Sequence, residues 1–305
     1  MAGVTDHIFR KILHNHGAGL TVSEMVSAKS IVYRNKNTFR LMQNEIDAPF
    51  SIQFFGSEPE VLAEAIKILD DAVLCGNAPP FDIVDINMGC PMPKIVNNGE
   101  GAALMKNPVL AGQLIEAAVR ASGRPVTVKI RKGFTNATTN CIHLAMAAEA
   151  SGASLVTVHG RTRDQYYTGE ADWEAIASVK AAVKIPVVGN GDIFTPEIAV
   201  RRLKDSGCDG IMIARGAMGN PWLFSRTLEY LQTGSIPPPP TDETIINTAI
   251  DHLNAVKNSG GRIEEMRKHI GWYTKGMHGS AEIRRNVNTA KTAEEMEHLL
   301  LSLLR

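Results

Sequence analysis

Short apolar runs rich in β-branched residues recur along most of the chain, and stretches with a helical apolar period separate them. Seven strands are predicted in this way, namely Leu20 to Ser23, Phe50 to Phe54, Ile83 to Asn87, Val126 to Ile130, Leu155 to His159, Pro186 to Gly189 and Gly210 to Ile213. Strands that alternate with helices form a parallel sheet covered by helices. Seven such units favour a closed α/β fold, the (β/α)8 TIM barrel, over a small open sheet.

The first strand of such a barrel is missing from the pattern. The chain opens on Met1-Ala2-Gly3-Val4-Thr5-Asp6, which is typical of the loop after a first strand and not of the strand itself. A barrel without that strand would expose two unpaired edges. We therefore expect either that the sequence lacks a natural N-terminal segment or that another segment closes the gap.

The pattern changes at the polyproline run Pro237 to Pro240, which is typical of a semi-rigid spacer between domains. Beyond it only helical patterns remain, at Thr244 to Lys257, Ile263 to Tyr273 and Ala293 to Leu304. The sequence therefore predicts two domains, a barrel over residues 1–236 and a small all-helical domain over residues 241–305.

Polar side chains share one face of several predicted strands. Lys129 and Arg131 alternate with apolar residues, and the same alternation brings Gln53, Asn87 and His159 to the carboxyl ends of their own strands. TIM barrels keep their sites at that end. We expect these side chains to converge in one layer at the mouth of the barrel.

Two glycine-containing loops follow the last two strands, Gly189-Asn190-Gly191-Asp192 and Ala214-Arg215-Gly216. Glycine lets backbone N–H groups approach a phosphate, and barrels often bind phosphate with the loops after strands 7 and 8. Arg215 adds a forked donor for a phosphate group. The pair of loops predicts a phosphate site.

Cys90 follows the strand that begins at Ile83, in a polar loop. A thiol with a pKa of about 8.5 is mostly protonated at neutral pH and can donate a proton. Free cysteines are also common small core residues, and the residues alone leave both interpretations open. The four cysteines show no C-x-x-C pair and no metal-ligand spacing, and no secretory signal precedes them. We expect a reduced, cytoplasmic protein without a metal site.

The charges balance, with 32 Lys and Arg against 32 Asp and Glu, so no overall charge indicates nucleic acid or a membrane. No apolar run approaches the ~20 residues that span a bilayer. Basic residues nevertheless cluster in the helical region, at Arg267, Lys268, Lys275, Arg284, Arg285 and Lys291, with Trp272 and Tyr273 among them. This pattern favours an RNA-binding surface, with a solvated helical face as the alternative.

Seven motifs together resemble the bacterial tRNA-dihydrouridine synthases, in particular the B type. They are Met1 to Asp6, Gln53 to Gly56, Asp85 to Pro91, Val128 to Arg131, Val158 to Arg163, Gly189 to Asp192 and Ala214 to Gly216, in the family's order. The Asn-Met-Gly-Cys-Pro loop is the most specific of them. The family normally has a strand ending in Ala-Pro directly before the first motif, and this chain begins after it.

The resemblance implies an FMN enzyme that reduces the 5,6 double bond of a uridine in tRNA and takes its hydride from NADPH. It assigns Cys90 as the proton donor to the uracil ring. The implied cofactor residues are Met1, Ala2, Gln53, Lys129, His159, Asn190, Gly191, Asp192, Ala214, Arg215 and Gly216. The implied tRNA contacts are Asn87 at the target base together with Arg131, Arg267, Lys268, Arg284 and Arg285. A monomer is the expected state, because one chain would bind one tRNA.

Two alternatives remain from the sequence. A small-molecule flavin oxidoreductase of the dihydroorotate or dihydropyrimidine dehydrogenase type shares the barrel, the phosphate loops and a loop acid, but has no use for a basic helical domain. The other alternative is a barrel that has lost its flavin and only binds RNA, which the missing first strand favours.

Overall fold

The computed structural model describes residues 1–46 and 49–304, so residue 305, the last of the predicted helical domain, lies outside it. The strands are β1 (Thr21–Ser27), β2 (Phe50–Phe55), β3 (Ile83–Met88), β4 (Val126–Gly133), β5 (Leu155–Thr162), β6 (Val187–Asn190) and β7 (Gly210–Met212). The helices are α1 (His7–Asn15), α2 (Ala28–Val32), α3 (Lys36–Arg40), α4 (Pro59–Leu74), α5 (Pro93–Val96), α6 (Pro108–Ala121), α7 (Cys141–Ala150), α8 (Trp173–Ala182), α9 (Pro196–Ser206), α10 (Trp222–Thr233), α11 (Asp242–Asn258), α12 (Met266–Tyr273), α13 (Ser280–Val287) and α14 (Ala293–Leu301).

The seven strands form one parallel sheet in the order β1 to β7, each paired with its neighbours along the chain. Strand order and direction agree with the α/β prediction. Among the described residues β7 and β1 do not pair, so the expectation of a closed barrel is corrected to a curled, open one. Closure needs hydrogen bonds between the two edge strands, and the side-chain pattern of each strand carries no information about that pairing.

Residues before β1 lie at the open seam without forming a strand. Phe9 and Leu13 of α1 are buried with Ala217, and Ile213 at the end of β7 packs on the same cluster. Helix α1 thus covers part of the seam but does not close it, as the second of the two expectations would require. The cover is a helix, so it hides apolar side chains but supplies no ladder of hydrogen bonds to the strand edges.

Three strands extend three or four residues past their predicted ends, and β2, β3 and β6 extend by one. β1 runs on to Ser27, β4 to Gly133 and β5 to Thr162. The extensions contain residues such as Arg161, which is 1% exposed although it is charged. Apolar patterning cannot predict a strand segment whose buried residues are polar. Such residues lie at the mouth of the barrel, and for this reason the extensions were not predicted.

Apolar side chains from the outer face of the sheet pack against the helices. In β3, Val84, Ile86 and Met88 are fully buried in this core, whereas Asp85 and Asn87 point the other way, into the barrel. Burying each of these apolar side chains contributes roughly 1.5–3 kcal/mol. The apolar face thereby fixes the strand and aims the intervening polar residues at the mouth.

The residues after Pro240 form helices only, as far as the structure describes them, which confirms the predicted helical patterns. Their core also includes Ile8 of α1 and Trp222 of α10. The division into two domains stays a prediction, because this shared core joins both parts. No helix of the described residues is long and apolar enough to cross a bilayer.

Two fully buried imidazoles, His252 of α11 and His269 of α12, lie where the C-terminal helices meet α1. Burial lowers the pKa of His252 to about 4 and that of His269 to about 2. Both rings are therefore neutral at physiological pH.

Candidate active site

One cleft of about 580 Å³ lies at the carboxyl ends of the strands. It is lined by all the residues that the sequence predicts for catalysis and cofactor binding: Met1, Ala2, Gln53, Cys90, Lys129, His159, Asn190, Gly191, Asp192, Ala214, Arg215 and Gly216. Asn87 and Arg131, predicted to contact tRNA, line the same cleft. The structure therefore brings these residues together, and the role of each stays a prediction.

A buried amide network crosses β2, β3 and β4 at the floor of the cleft. Gln53 donates from Nε2 to Asp85 Oδ2 at 2.7 Å and accepts from Asn87 Nδ2 at 2.8 Å. Thr127 donates its hydroxyl to the other oxygen of Asp85. Burial raises the pKa of the Asp85 carboxyl to about 6, against the lowering effect of these hydrogen bonds. The network fixes the amide orientation of Gln53 and Asn87. Each amide donates through its nitrogen and accepts through its oxygen, so a flipped amide would lose these bonds.

Asn87 also holds the loop that carries the cysteine. Its Oδ1 accepts from the backbone N–H of Cys90 at 2.9 Å and from that of Gly89 at 3.2 Å. The chain passes close by again at Gly101, whose φ is 58° and where a Cβ would come within 2.9 Å of the Cys90 carbonyl oxygen. These contacts fix the backbone of Cys90 from both sides.

The thiol of Cys90 is largely buried but lines the cleft. Burial raises its pKa above the ordinary value, and this outweighs a backbone hydrogen bond from Met92 and the charge of Arg131, which lower it. The group is therefore protonated at neutral pH. A protonated thiol at the wall of a cleft can act as an acid but is a poor nucleophile.

Arg131 is 2% exposed and braces the loops around the cysteine. Its Nε donates to the Gly89 carbonyl at 2.7 Å, and one terminal nitrogen donates to the carbonyls of Thr162 and Tyr166 at 2.8 and 2.9 Å. A planar guanidinium suits such a task, because its donors are fixed in one fork. In this structure the residue joins the β3 loop to the β5 loop.

Lys129 points into the cleft from β4. Its Nζ donates to Asn190 Oδ1 at 3.2 Å, and Asn190 in turn donates from Nδ2 to the Met212 carbonyl at 2.8 Å. Burial, together with the charge of Arg131, lowers the pKa of the ammonium to about 8. The group is still mostly charged at neutral pH, so it presents a desolvated cation to whatever occupies the cleft.

Asp192 is the centre of an ion-pair cluster in the loop after β6. Arg161 binds both carboxylate oxygens, at 2.9 and 2.7 Å, and Arg215 binds one of them at 3.2 Å. The backbone N–H of Ala171 donates to the carboxylate as well, and the guanidinium partners keep the pKa of Asp192 low despite some burial. The carboxylate thus positions the two arginines and balances part of their charge.

Arg161 is the functional residue that sequence reasoning missed. It lies in a motif that was recognised, yet its partner is distant in sequence and no site was assigned to it. The signal was available, because Arg161 continues the odd-numbered inward face that carries Thr157 and His159.

Cations dominate the electrostatics of this end of the cleft. Burial, together with the charges of Lys129, Arg131, Arg161 and Arg215, lowers the pKa of His159 to about 2. The imidazole is therefore neutral and can donate a hydrogen bond without a charge of its own. These four cations face one carboxylate, Asp192, which Arg161 and Arg215 share. The remaining positive charge favours an anionic ligand.

Two glycines keep the walls of this region close together. Gly191 has φ 135°, a conformation that other residues rarely adopt, and a Cβ there would come within 2.4 Å of Ala171. At Gly216 a Cβ would lie 2.0 Å from the Ile193 carbonyl oxygen. Neither position tolerates a side chain, which agrees with loops that present backbone to a ligand.

The comparison with protein families identifies the group to which these features belong. The model of the dihydrouridine synthase (Dus) family matches residues 1–305. This chain belongs to the dihydrouridine synthase family. Its motifs, recognised from the sequence as similar to those of this family, are the segments that line the cleft.

Curated members of the family are similar along nearly the whole chain. A protein of Rickettsia bellii named "Probable tRNA-dihydrouridine synthase" is 43% identical over 94% of this chain and 88% of its own length. The "tRNA-dihydrouridine synthase B" of Xanthomonas campestris is 41% identical over 96% of this chain and 88% of its own. That of Pseudomonas aeruginosa is 41% identical over 94% of this chain and 86% of its own.

Among solved structures, histamine dehydrogenase from Rhizobium sp. 4-9 has a similar fold, with a TM-score of 0.54 and 14% sequence identity. The match covers 76% of this chain and 44% of that chain. At this identity the likeness concerns the fold alone, and it supports a TIM-barrel-like arrangement of the strands.

The four basic residues of the helical region that are predicted to bind tRNA do not line the cleft of this family member, unlike Arg131. Arg284 and Arg285 are exposed on α13, and Arg284 contacts the Ser280 hydroxyl at 3.1 Å. Arg267 donates to the Ala290 carbonyl at 2.9 Å, and Lys268 donates to the carbonyl of Gly3. Two of the four therefore also hold the helical region together or tie it to the N-terminal segment.

Proposed function

We propose that this chain reduces a uridine of tRNA to 5,6-dihydrouridine, with FMN as the bound flavin and NADPH as the reductant. Membership of the dihydrouridine synthase family and the names of its relatives support the reaction. The observation that carries the proposal is the position of the protonated Cys90 thiol in the same cleft as a cluster of cations.

The residues of the cleft fit an FMN molecule. The phosphate would lie at the cationic end, near Arg215, the glycines of the two loops and the neutral His159. Asp192 would contribute by holding the two arginines and through its backbone, because its carboxylate is already paired. Apolar walls from Met25, Met212, Met218 and Ile193 suit one face of a planar ring system.

When bound and reduced, FMN supplies the hydride that adds to C6 of the uracil. Cys90 donates a proton to C5, and burial keeps the thiol protonated until that step. Asn87 holds the Cys90 backbone through Oδ1, and one Nδ2 hydrogen remains free to contact the base. Lys129 places its positive charge beside the ring-binding part of the cleft, where it stabilises negative charge that develops during reduction.

The target uridine has to leave the stacked tRNA to enter the cleft, which by analogy with base-flipping enzymes costs a few kcal/mol. Contacts between the tRNA backbone and exposed cations of the helical region, such as Arg284 and Arg285, would offset part of this cost.

The test uses bulk tRNA from a strain that lacks dihydrouridine. After incubation with the FMN-loaded chain and NADPH, mass spectrometry of digested nucleosides should show uridine that has gained two hydrogens. A chain that leaves the tRNA unchanged but reduces free pyrimidines would contradict the proposal in favour of a small-molecule flavin enzyme.

A further inference from the structure

A second cluster of ligand-type side chains lies away from the cleft, between the N-terminal segment and the C-terminal helices. Asp6 directly precedes α1, His252 lies on α11 and His269 on α12. One ligand atom from each can be chosen so that all three lie within 4.8 Å of one another. We propose that these three residues bind a divalent transition metal ion of the zinc type.

Three of the four ring nitrogens of these histidines lack a hydrogen-bond partner among the described residues. His252 is 0% exposed and His269 is 1% exposed. Within the part of the chain that the structure describes, His252 Nε2 and both ring nitrogens of His269 have no hydrogen-bond partner. Buried polar atoms in this state are costly, and each needs a ligand of some kind. A metal ion bound by one nitrogen from each ring removes two of these costs at once.

The surroundings of His252 are those of a metal ligand. Its Nδ1 lies 3.4 Å from the Tyr273 hydroxyl, and its Nε2 has no hydrogen-bond partner among the described residues. In the tautomer with the proton on Nδ1, donated to that hydroxyl, Nε2 would present its lone pair to the ion. Histidines that bind metals commonly donate their other N–H to a neighbouring group, which fixes the tautomer and the ring. The Phe9 ring stacks on His252 with 5.7 Å between centroids and an interplanar angle of 8°. This apolar shell limits ring rotation.

Asp6 supplies the negative charge. Its Oδ1 accepts from the Phe9 backbone N–H at 2.8 Å as the N-cap of α1, and Oδ2 is left for a second interaction. Two neutral imidazoles and one carboxylate are a donor set that suits zinc, iron, cobalt or nickel and suits calcium or magnesium poorly. Bound at about 2.0–2.1 Å, such an ion needs its ligand atoms on the order of 3.3 Å apart. Metal binding would therefore draw these atoms closer together than the 4.8 Å limit found here.

A groove of about 580 Å³ lies beside the cluster, between α1 and α11, and is lined by His252 together with Asp251 and Glu45. His252 is 0% exposed, so an ion that enters from this groove would have to displace side chains at its floor. Once bound, it would join the segment that leads out of the cleft to two helices of the C-terminal region.

The first experiment measures the metal content of the untagged full-length chain, purified without chelator, by mass spectrometry of the elements. We expect one ion per chain. After removal of the ion, Zn²⁺ should restore it and raise the melting temperature by about 5 °C at saturation. Co²⁺ should give the visible d–d absorption of a low-symmetry site. Absence of bound metal together with no thermal response to Zn²⁺ would overturn the assignment in favour of a dry or hydrated polar pocket.

Two variants test the ligands, and a third is the control. Asp6→Asn keeps an N-cap acceptor for α1 while removing the anionic ligand. His269→Phe fills the same space without ring nitrogens, and the metal-free variant should stay folded, because it replaces unpaired polar atoms with apolar ones. Both should weaken Zn²⁺ binding at least ~100-fold, since losing even a residue that only supports a ligand costs about 10–100-fold. His16→Phe, at the same interface but outside the cluster, should bind Zn²⁺ like the unaltered chain. Unchanged Zn²⁺ affinity in His269→Phe would overturn the proposal.

Discussion

The carboxylates of the cleft and the imidazoles between α1, α11 and α12 differ in their partners, although Asp85 is buried like the imidazoles and Asp192 is half-buried. In the cleft, both oxygens of Asp85 and both oxygens of Asp192 accept hydrogen bonds from neighbouring side chains. At the helical interface, three ring nitrogens of His252 and His269 have no partner among the described residues. The cleft is therefore organised by the chain itself before a ligand arrives, whereas the interface needs a group from outside.

This difference makes opposite predictions about removing a polar side chain. In the cleft, removing a side chain leaves its hydrogen-bonded or charged partner without compensation, and it should be costly. At the metal-free interface, replacing an imidazole with a ring of the same shape should cost little.

The largest effect is expected at Cys90, the one polar group of the cleft whose proposed task is chemical. Cys90→Ala should lower the rate of dihydrouridine formation by roughly 10² to 10⁴, the usual contribution of one general acid. Single-turnover assays with prereduced enzyme and tRNA measure this step. Cys208→Ala, which removes another buried thiol far from the cleft, is the control. Equal rates for Cys90→Ala and the control would remove Cys90 from the proton-donor role.

The ion pair of Arg161 and Asp192 should contribute mainly to stability and to cofactor binding. Arg161→Met removes both bonds to the carboxylate and two further bonds to the carbonyls of Thr168 and Gly169. We expect a loss of about 3 kcal/mol in the free energy of unfolding, with weaker FMN binding. Chemical denaturation measures this loss against that of a control variant, Arg201→Met, which alters an exposed arginine of α9. A variant as stable as this control would show that the pair is not needed to organise the cleft.

Asp85 provides a pH-dependent test of the same organisation. Its folded pKa of about 6 lies above the ordinary 3.8, because burial disfavours the charged form. The stabilisation that this raised pKa provides is fully present below pH 3.8 and is lost as the pH rises to 6, by about 3 kcal/mol at 1.36 kcal/mol per pKa unit. Between pH 4 and pH 7, the free energy of unfolding should therefore fall less steeply with pH in Asp85→Asn than in the unaltered chain. Asp205→Asn, at an exposed carboxyl, is the control. If the free energy of unfolding has the same slope against pH in both variants, the carboxyl of Asp85 titrates normally.

Sequence reasoning succeeded where one local period determines the structure. The alternation along β3 and β4 predicted that Asn87 and Lys129 point inward, because apolar neighbours fix the outer face. The same alternation reaches Arg161, but the apolar residues of β5 end at Val158. The predicted end of β5 therefore came too early in the chain. Local periods also cannot report whether the first and last strands pair, and the closed barrel was for this reason a wrong expectation.

The interface cluster was beyond such reasoning altogether. Asp6 lies near the start of the chain, and His252 and His269 lie on different helices near its end. Metal sites are recognised in sequence by short fixed spacings between ligands, and none of these residues is close to another. Only the packing of α11 and α12 on α1 brings them together.

The smallest effect is expected on the exposed face of the helical region, where Arg284 has one hydrogen bond, to the Ser280 hydroxyl. Arg284 and Arg285 are exposed on α13, so reversing both charges should leave the unfolding free energy nearly unchanged. It should weaken tRNA binding about tenfold or more, and the salt dependence of binding should become shallower, because fewer counterions are released from the phosphates. Filter binding at several salt concentrations measures this effect, with Arg120→Glu on α6 as an exposed control. NADPH oxidation without tRNA should stay at its original rate. A fall in that rate would mean that α13 supports the cleft itself, and the separation between a self-organised cleft and an external binding face would no longer hold.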